Sequence, residues 1–147
     1  MIIWITRELA LAIHERQLAE HGGIEGVRDE SLLESALARP QQIASLSRRR
    51  GRVGVGVERL ADLAASLAYG IARNHPFGDG NKRTAHVCYR VFLALNGVEL
   101  DASAEDKYVA MLSLAEGSIT ETEFADWLRK HVAPPDNAVN EPKAACR

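Results

Sequence analysis

Asn74-His75-Pro76-Phe77-Gly78-Asp79-Gly80-Asn81-Lys82-Arg83-Thr84-Ala85-His86-Val87-Cys88-Tyr89-Arg90-Val91-Phe92-Leu93-Ala94-Leu95 joins two helical patterns through one polar loop. Upstream of it, Leu60, Leu63, Ala64, Leu67, Ala68 and Ile71 recur with the period of an amphipathic helix ending near Asn74. Downstream, Ala85, Val87, Cys88, Tyr89, Val91, Phe92, Leu93 and Leu95 put apolar side chains on nearly every side. This predicts that helix 81–95 is the buried centre of the fold, stopped by Asn96-Gly97 in a left-handed cap.

Working outward, Thr6 is placed to cap a helix that runs to about His21 and closes at Gly22-Gly23, with Leu9, Ile13 and Leu18 in its buried stripe. Asp29 is the next cap, and Leu32, Leu33, Ala36 and Leu37 form an apolar face that Pro40 is expected to end. Residues 44–57 have no helical period and contain Arg48, Arg49, Arg50 and Arg52 before a Val-Gly alternation, so they read as a mobile loop or short hairpin. Ser103 with Asp106 and Thr120 with Glu123 resemble capping boxes for helices of about 103–115 and 120–131. Phe124, Trp127 and Leu128 dock the last of these on the core. From Ala133 onward the chain can bury little, and 133–147 reads as a disordered tail. The expectation is one all-α domain over 1–132, about six helices around helix 81–95.

The 147 residues suffice for a single core of ordinary size. A net charge of -2 provides no global field toward nucleic acid or acidic membranes, so direct nucleic-acid binding is not favoured. No apolar run approaches the roughly 20 residues that span a bilayer, and Arg7-Glu8 cuts the apolar start too early for a signal-peptide core. Cys88 and Cys146 do not make a disulfide framework. A reduced, cytoplasmic protein is the simplest reading.

The loop is where the chemistry lies. A helix opening near Asn81 offers unpaired N–H groups and a positive dipole end, and Gly78 and Gly80 let an anion approach that backbone. Lys82 and Arg83 in the first turn oppose the dipole, which makes sense if an anion binds there; Arg83 can grip phosphate oxygens bidentately. Asp79 is a hard oxygen ligand of the kind magnesium takes alongside substrate phosphates. His75 can accept a proton near neutral pH. Singly, these residues read as a helix end, a glycine turn, an N-cap and solvated cations, and Phe77 as a core anchor. Together, at this spacing, they describe transfer of a phosphorus-containing group from a nucleotide.

His75 to Arg83 resembles the signature of the Fic-domain superfamily, His-Pro-Phe-x-acidic-Gly-Asn-Gly-Arg, with Lys82 where the nucleotidyl-transferring members have glycine. Asn81-Lys82-Arg83-Thr84-Ala85 is similar instead to the Doc ("death on curing") toxin branch. His21-Gly22-Gly23, Arg28-Asp29, Leu32 to Leu37, Arg39-Pro40, Asn96-Gly97 and Trp127-Leu128 extend the likeness over roughly residues 6–131. The resemblance implies His75 as general base, Asp79 as magnesium ligand, and Gly78, Gly80, Asn81, Lys82 and Arg83 around the phosphates of ATP. It implies a toxin of a type II toxin-antitoxin system that phosphorylates a hydroxyl of a translation factor, elongation factor Tu in the best-known case. AMP transfer is the alternative at the same site, and a non-catalytic module binding an antitoxin or nucleic acid through the four arginines is a third reading. The inhibitory pattern Ser/Thr-x-x-x-Glu-Gly/Asn of many Fic proteins has no match, since His21 precedes Glu25-Gly26 and Leu112 precedes Glu116-Gly117. A separate antitoxin is therefore implied.

Overall fold

The computed structural model describes residues 1–49 and 56–133. Six helices make up the domain: α1 (Arg7–His21), α2 (Glu30–Arg49), α3 (Val57–Asn74), α4 (Asn81–Leu95), α5 (Ala104–Glu116) and α6 (Glu121–His131). Two short strands, β1 (Glu99–Leu100) and β2 (Val132–Ala133), pair antiparallel and fasten the end of α6 to the segment after α4. The all-α expectation holds.

The caps follow the chemistry of the sequence. Thr6 Oγ1 accepts from Leu9 N–H at 3.1 Å, and Asp29 Oδ1 accepts from Leu32 N–H at 3.1 Å. Thr120 and Glu123 form a complete reciprocal capping box. Gly22 and Gly97, at φ 78° and 79°, supply the left-handed stops.

Three expectations change. Pro40 does not end α2, because the buried stripe Leu33, Ala36, Leu37, Pro40 and Ala44 runs straight through it with helical spacing. Burial of that face outweighs a proline penalty of roughly 3 kcal/mol in a helix interior. Residues 44–49 accordingly belong to α2 rather than to a loop or hairpin; 50–55, with Arg50 and Arg52, lie outside the described residues, as do residues 134–147 of the expected tail. Lastly, α4 shares the centre with α3. Val87 and Val91 are half-buried and Leu95 is exposed, whereas 11 of the 18 residues of α3 are buried. Its small side chains allow this: a Cβ on Gly70 would stand 3.2 Å from Ala36 Cα, so α2 and α3 cross almost backbone to backbone. α3 packs on α2, α4, α5 and α6, and the loop that leaves it is thereby mounted on the most enclosed element of the domain.

Candidate active site

The loop between α3 and α4 is short, turned twice into the left-handed region, and held from both sides. His75 is the C-cap of α3 at φ 51°, ψ 56°. Among the described residues it is the one non-glycine with positive φ. Arg28 fixes it there: its Nε donates to His75 O at 2.9 Å and its Nη2 to Asn74 O at 3.1 Å. Pro76 O accepts from the N–H groups of Arg28 and Asp29 at 2.7 and 3.1 Å, and Gly78 N–H donates to Gly26 O at 3.1 Å. The segment after α1 thus runs beside the loop, with Val27 bridged to Phe77.

Phe77 is buried, the core anchor its sequence context suggested. Asn81 clamps it: Asn81 Oδ1 accepts from Phe77 N–H at 2.9 Å, and Asn81 Nδ2 donates to Phe77 O at 3.1 Å. Both ends of that amide are engaged, which leaves one Nδ2 hydrogen and the backbone N–H of Asn81 for an anion in the cleft. Gly80 opens α4 at φ 73°, where a Cβ would approach Arg83 Nη2 at 3.3 Å. The first intrahelical bond is Thr84 N–H to Gly80 O at 2.9 Å. The N–H groups of Asn81, Lys82 and Arg83 precede it and face outward from the helix end.

His75, Gly78, Asp79, Gly80, Asn81, Lys82 and Arg83 all line one cleft of about 470 Å³. Its far wall is His86 of α4 with Tyr108, Met111 and Leu112 of α5. The His75 imidazole is exposed and makes no hydrogen bond to a described residue. Asp79 Oδ1 accepts from Gly80 N–H at 2.9 Å, and Oδ2 from Ile24 N–H at 3.4 Å. Arg83 Nη2 donates to Gly22 O at 3.2 Å, while Arg83 Nε is buried with no partner among the described residues. No acidic residue stands in the first turn of α4, so Lys82 and Arg83 are uncompensated there. Burial, reinforced by Arg90 and Lys107, pushes the His86 pKa down to about 4 and keeps that ring neutral. The cleft is therefore a positive pocket with one carboxylate at its edge.

Residues 4–93 match the Fic/DOC family. A relative from Escherichia phage P1, named "Protein kinase doc", is 32% identical over 131 residues, covering 86% of this chain and 93% of that protein. The chain belongs to the Fic/DOC family. A second relative, "Toxin Doc" from Mycolicibacterium smegmatis, is 45% identical over 84 residues, which is 55% of this chain and 57% of that protein.

In this Fic/DOC protein several site residues were not apparent from the motif. His14 of α1 is buried, stacks on Phe77 with ring centroids 3.9 Å apart, and its Nε2 lies 2.9 Å from Asp79 O. Its signal was a polar residue inside the apolar stripe of α1, next to Ala10, Ile13 and Gln17. His86 lies one turn beyond Lys82 and Arg83, on the face helical spacing assigns to them. Gly23 had read only as a helix stop, yet a Cβ there would come within 2.9 Å of Asp79 Oδ2. Arg28 carried no local signal, because its carbonyl partners lie 46 and 47 residues away.

Proposed function

We propose that this chain is a Doc-type toxin that transfers the γ-phosphoryl group of ATP to a protein hydroxyl and is held in check by a separate antitoxin. The observation that carries the reading is the cleft, where an imidazole, one carboxylate, free helix N–H groups and two cations meet. The name of the phage P1 relative, a protein kinase aligned over nearly its whole length, supports phosphoryl transfer over AMP transfer. Lys82 supports it as well. Its exposed side chain occupies the cleft edge where a glycine would leave room for a triphosphate to lie differently.

His75 takes the proton of the attacking hydroxyl. The N–H groups of Asn81, Lys82 and Arg83, with the Arg83 guanidinium, hold the charge that accumulates on the transferred group and on the departing ADP. Among the described residues no three His, Cys, Asp or Glu side chains converge, so there is no all-protein metal cage. Asp79 alone beside a phosphate cleft fits magnesium, which binds through one or two carboxylates plus substrate phosphates. Magnesium held there would neutralise phosphate charge. The neutral His86 and the α5 wall would border the rest of the nucleotide or the target side chain. No helix of the described residues is long and apolar enough to cross a membrane, which accords with a toxin acting on a cytoplasmic translation factor.

Expression should arrest growth, and His75→Ala should relieve the arrest with the fold intact. ATP labelled separately at the α- and γ-phosphates, followed by mass spectrometry of the modified protein, identifies the transferred group and the target. Label arriving from the α-phosphate would establish AMP transfer and refute the kinase reading.

A further inference from the structure

We propose that His14 is a positioning residue that keeps the Asp79–Gly80 peptide turned so that its carbonyl faces α1 and not the phosphate cleft. His14 is only 2% exposed and comes from an element that contributes nothing to the cleft lining. It lines a separate groove, between α1 and residues 23–26, that shares no lining residue with the cleft. Its Nε2 is 2.9 Å from Asp79 O. A carbonyl oxygen only accepts, so Nε2 carries the proton and donates, which fixes the tautomer. The ring lies flat on Phe77, 9° from parallel at 3.9 Å, and Asn81 locks Phe77 in turn. His14 therefore has one aim.

The peptide needs such a lock because glycine does not provide one. Gly80 sits at φ 73°, but glycine adopts either sign of φ almost equally well, so a flip of the preceding peptide costs little locally. Flipped, that peptide would aim a carbonyl dipole at the place where the Asn81, Lys82 and Arg83 N–H groups converge, and would repel an anion there. Two hydrogen bonds oppose the flip: His14 on the carbonyl and Asp79 Oδ1 on the Gly80 N–H. A carboxylate that turns to ligate a cation weakens the second. His14 then remains as the lock. This inference rests on the phosphate-binding reading of the cleft.

The test uses the full chain, isotopically labelled, in two variants. His14→Phe keeps a ring on Phe77 and removes the donor; His14→Gln keeps a donor. In the unaltered protein, NMR should show the His14 ring as the Nε2–H tautomer, with a scalar coupling across the hydrogen bond to the Asp79 carbonyl carbon. His14→Phe should shift the Gly80 amide resonance and weaken binding of Mg·ATP, measured by calorimetry, on the order of 10- to 100-fold. His14→Gln should recover most of that loss, which a purely structural role in packing would not predict. An Nδ1–H tautomer in the unaltered protein, or a folded His14→Phe variant that binds Mg·ATP normally, overturns the proposal. Should the unaltered protein bind no Mg·ATP, the phosphate reading itself fails. The tautomer and the Gly80 amide shift then still decide whether His14 holds this peptide.

Discussion

His75 ends α3 at φ 51° and ψ 56°, a conformation in which an L side chain crowds the following carbonyl. Its imidazole is exposed and bonded to no described residue, so the side chain itself does nothing to repay the strain. Left-handed backbone costs a non-glycine residue roughly 1–2 kcal/mol. Glycine removes that cost but gains freedom in the unfolded chain, worth about 0.4–1 kcal/mol in the opposite direction. His75→Gly should thus stabilise the protein by about 0.5–1 kcal/mol, raising the melting temperature by ~1–4 °C in a domain of this size. His75→Ala keeps the Cβ and the strain, and should lie within about 0.5 kcal/mol of the parent. Both should lose phosphoryl transfer. Denaturant titration and calorimetry of the three proteins, beside γ-label transfer, separate the effects. A glycine variant no more stable than the alanine variant would show that the cap is unstrained. An active glycine variant would remove His75 from the chemistry.

Gly80→Ala forces a Cβ into φ 73°, within 3.3 Å of Arg83 Nη2, and should cost roughly 1–2 kcal/mol by denaturant titration while weakening nucleotide binding. Arg28→Ala removes both donors to the Asn74 and His75 carbonyls; it should cost about 1 kcal/mol and slow label transfer, although Arg28 lines no part of the cleft. His86 predicts a pH dependence. Its folded pKa, about 4, lies below the ordinary value of 6.5, so the unfolded chain takes up the proton first as pH falls. Stability from this residue is complete above about pH 6.5 and declines toward pH 4, by on the order of 1 kcal/mol after allowing for partial exposure. Thermal melts of His86→Leu should show a flatter slope across that window; an unchanged slope would mean the ring is not held neutral.

How much of this could be read in the sequence depended on the range of the interaction. The helices, the Thr6 and Thr120 caps and the glycine stops are set by residues within a turn of each other, and the chain displays them. Seven of the cleft residues were legible for the same reason, since they fall within the stretch His75 to Arg83, whereas the α5 wall of Tyr108, Met111 and Leu112 has no local signal. Pro40 misled because its local signal is strong and the stripe that overrules it is tertiary. The crossing of Gly70 on Ala36, which makes α3 the more enclosed helix, joins positions 34 apart and has no local signature. Asn81 shows the finer limit. Its place in the motif suggested a phosphate contact, and the fold gives its amide a second task, stapling the loop through Phe77. Residue type and spacing announced a site; which atoms are free within it depended on bonds only the fold reveals.

The features that conflict with folding collect where the chemistry is proposed. The strained cap is His75, and the uncompensated cations against the helix dipole are Lys82 and Arg83. The buried polar atoms without a partner among the described residues are Arg83 Nε, Thr84 Oγ1, His86 Nδ1 and Tyr89 OH, all on the first turns of α4. Scattered over the chain, such costs would read as ordinary imperfection. Confined to residues 75–89, they lie partly on the cleft lining, at His75, Lys82, Arg83 and His86, and partly in the core beneath it, at Thr84 and Tyr89. A bound polyphosphate would answer one of the conflicts, by compensating the cations. The strain at His75 is of another kind, since no ligand relieves a backbone angle. It is tolerated because Arg28 and the enclosed end of α3 hold it, and that makes the His75→Gly comparison the sharper test of where function has been kept at the expense of stability.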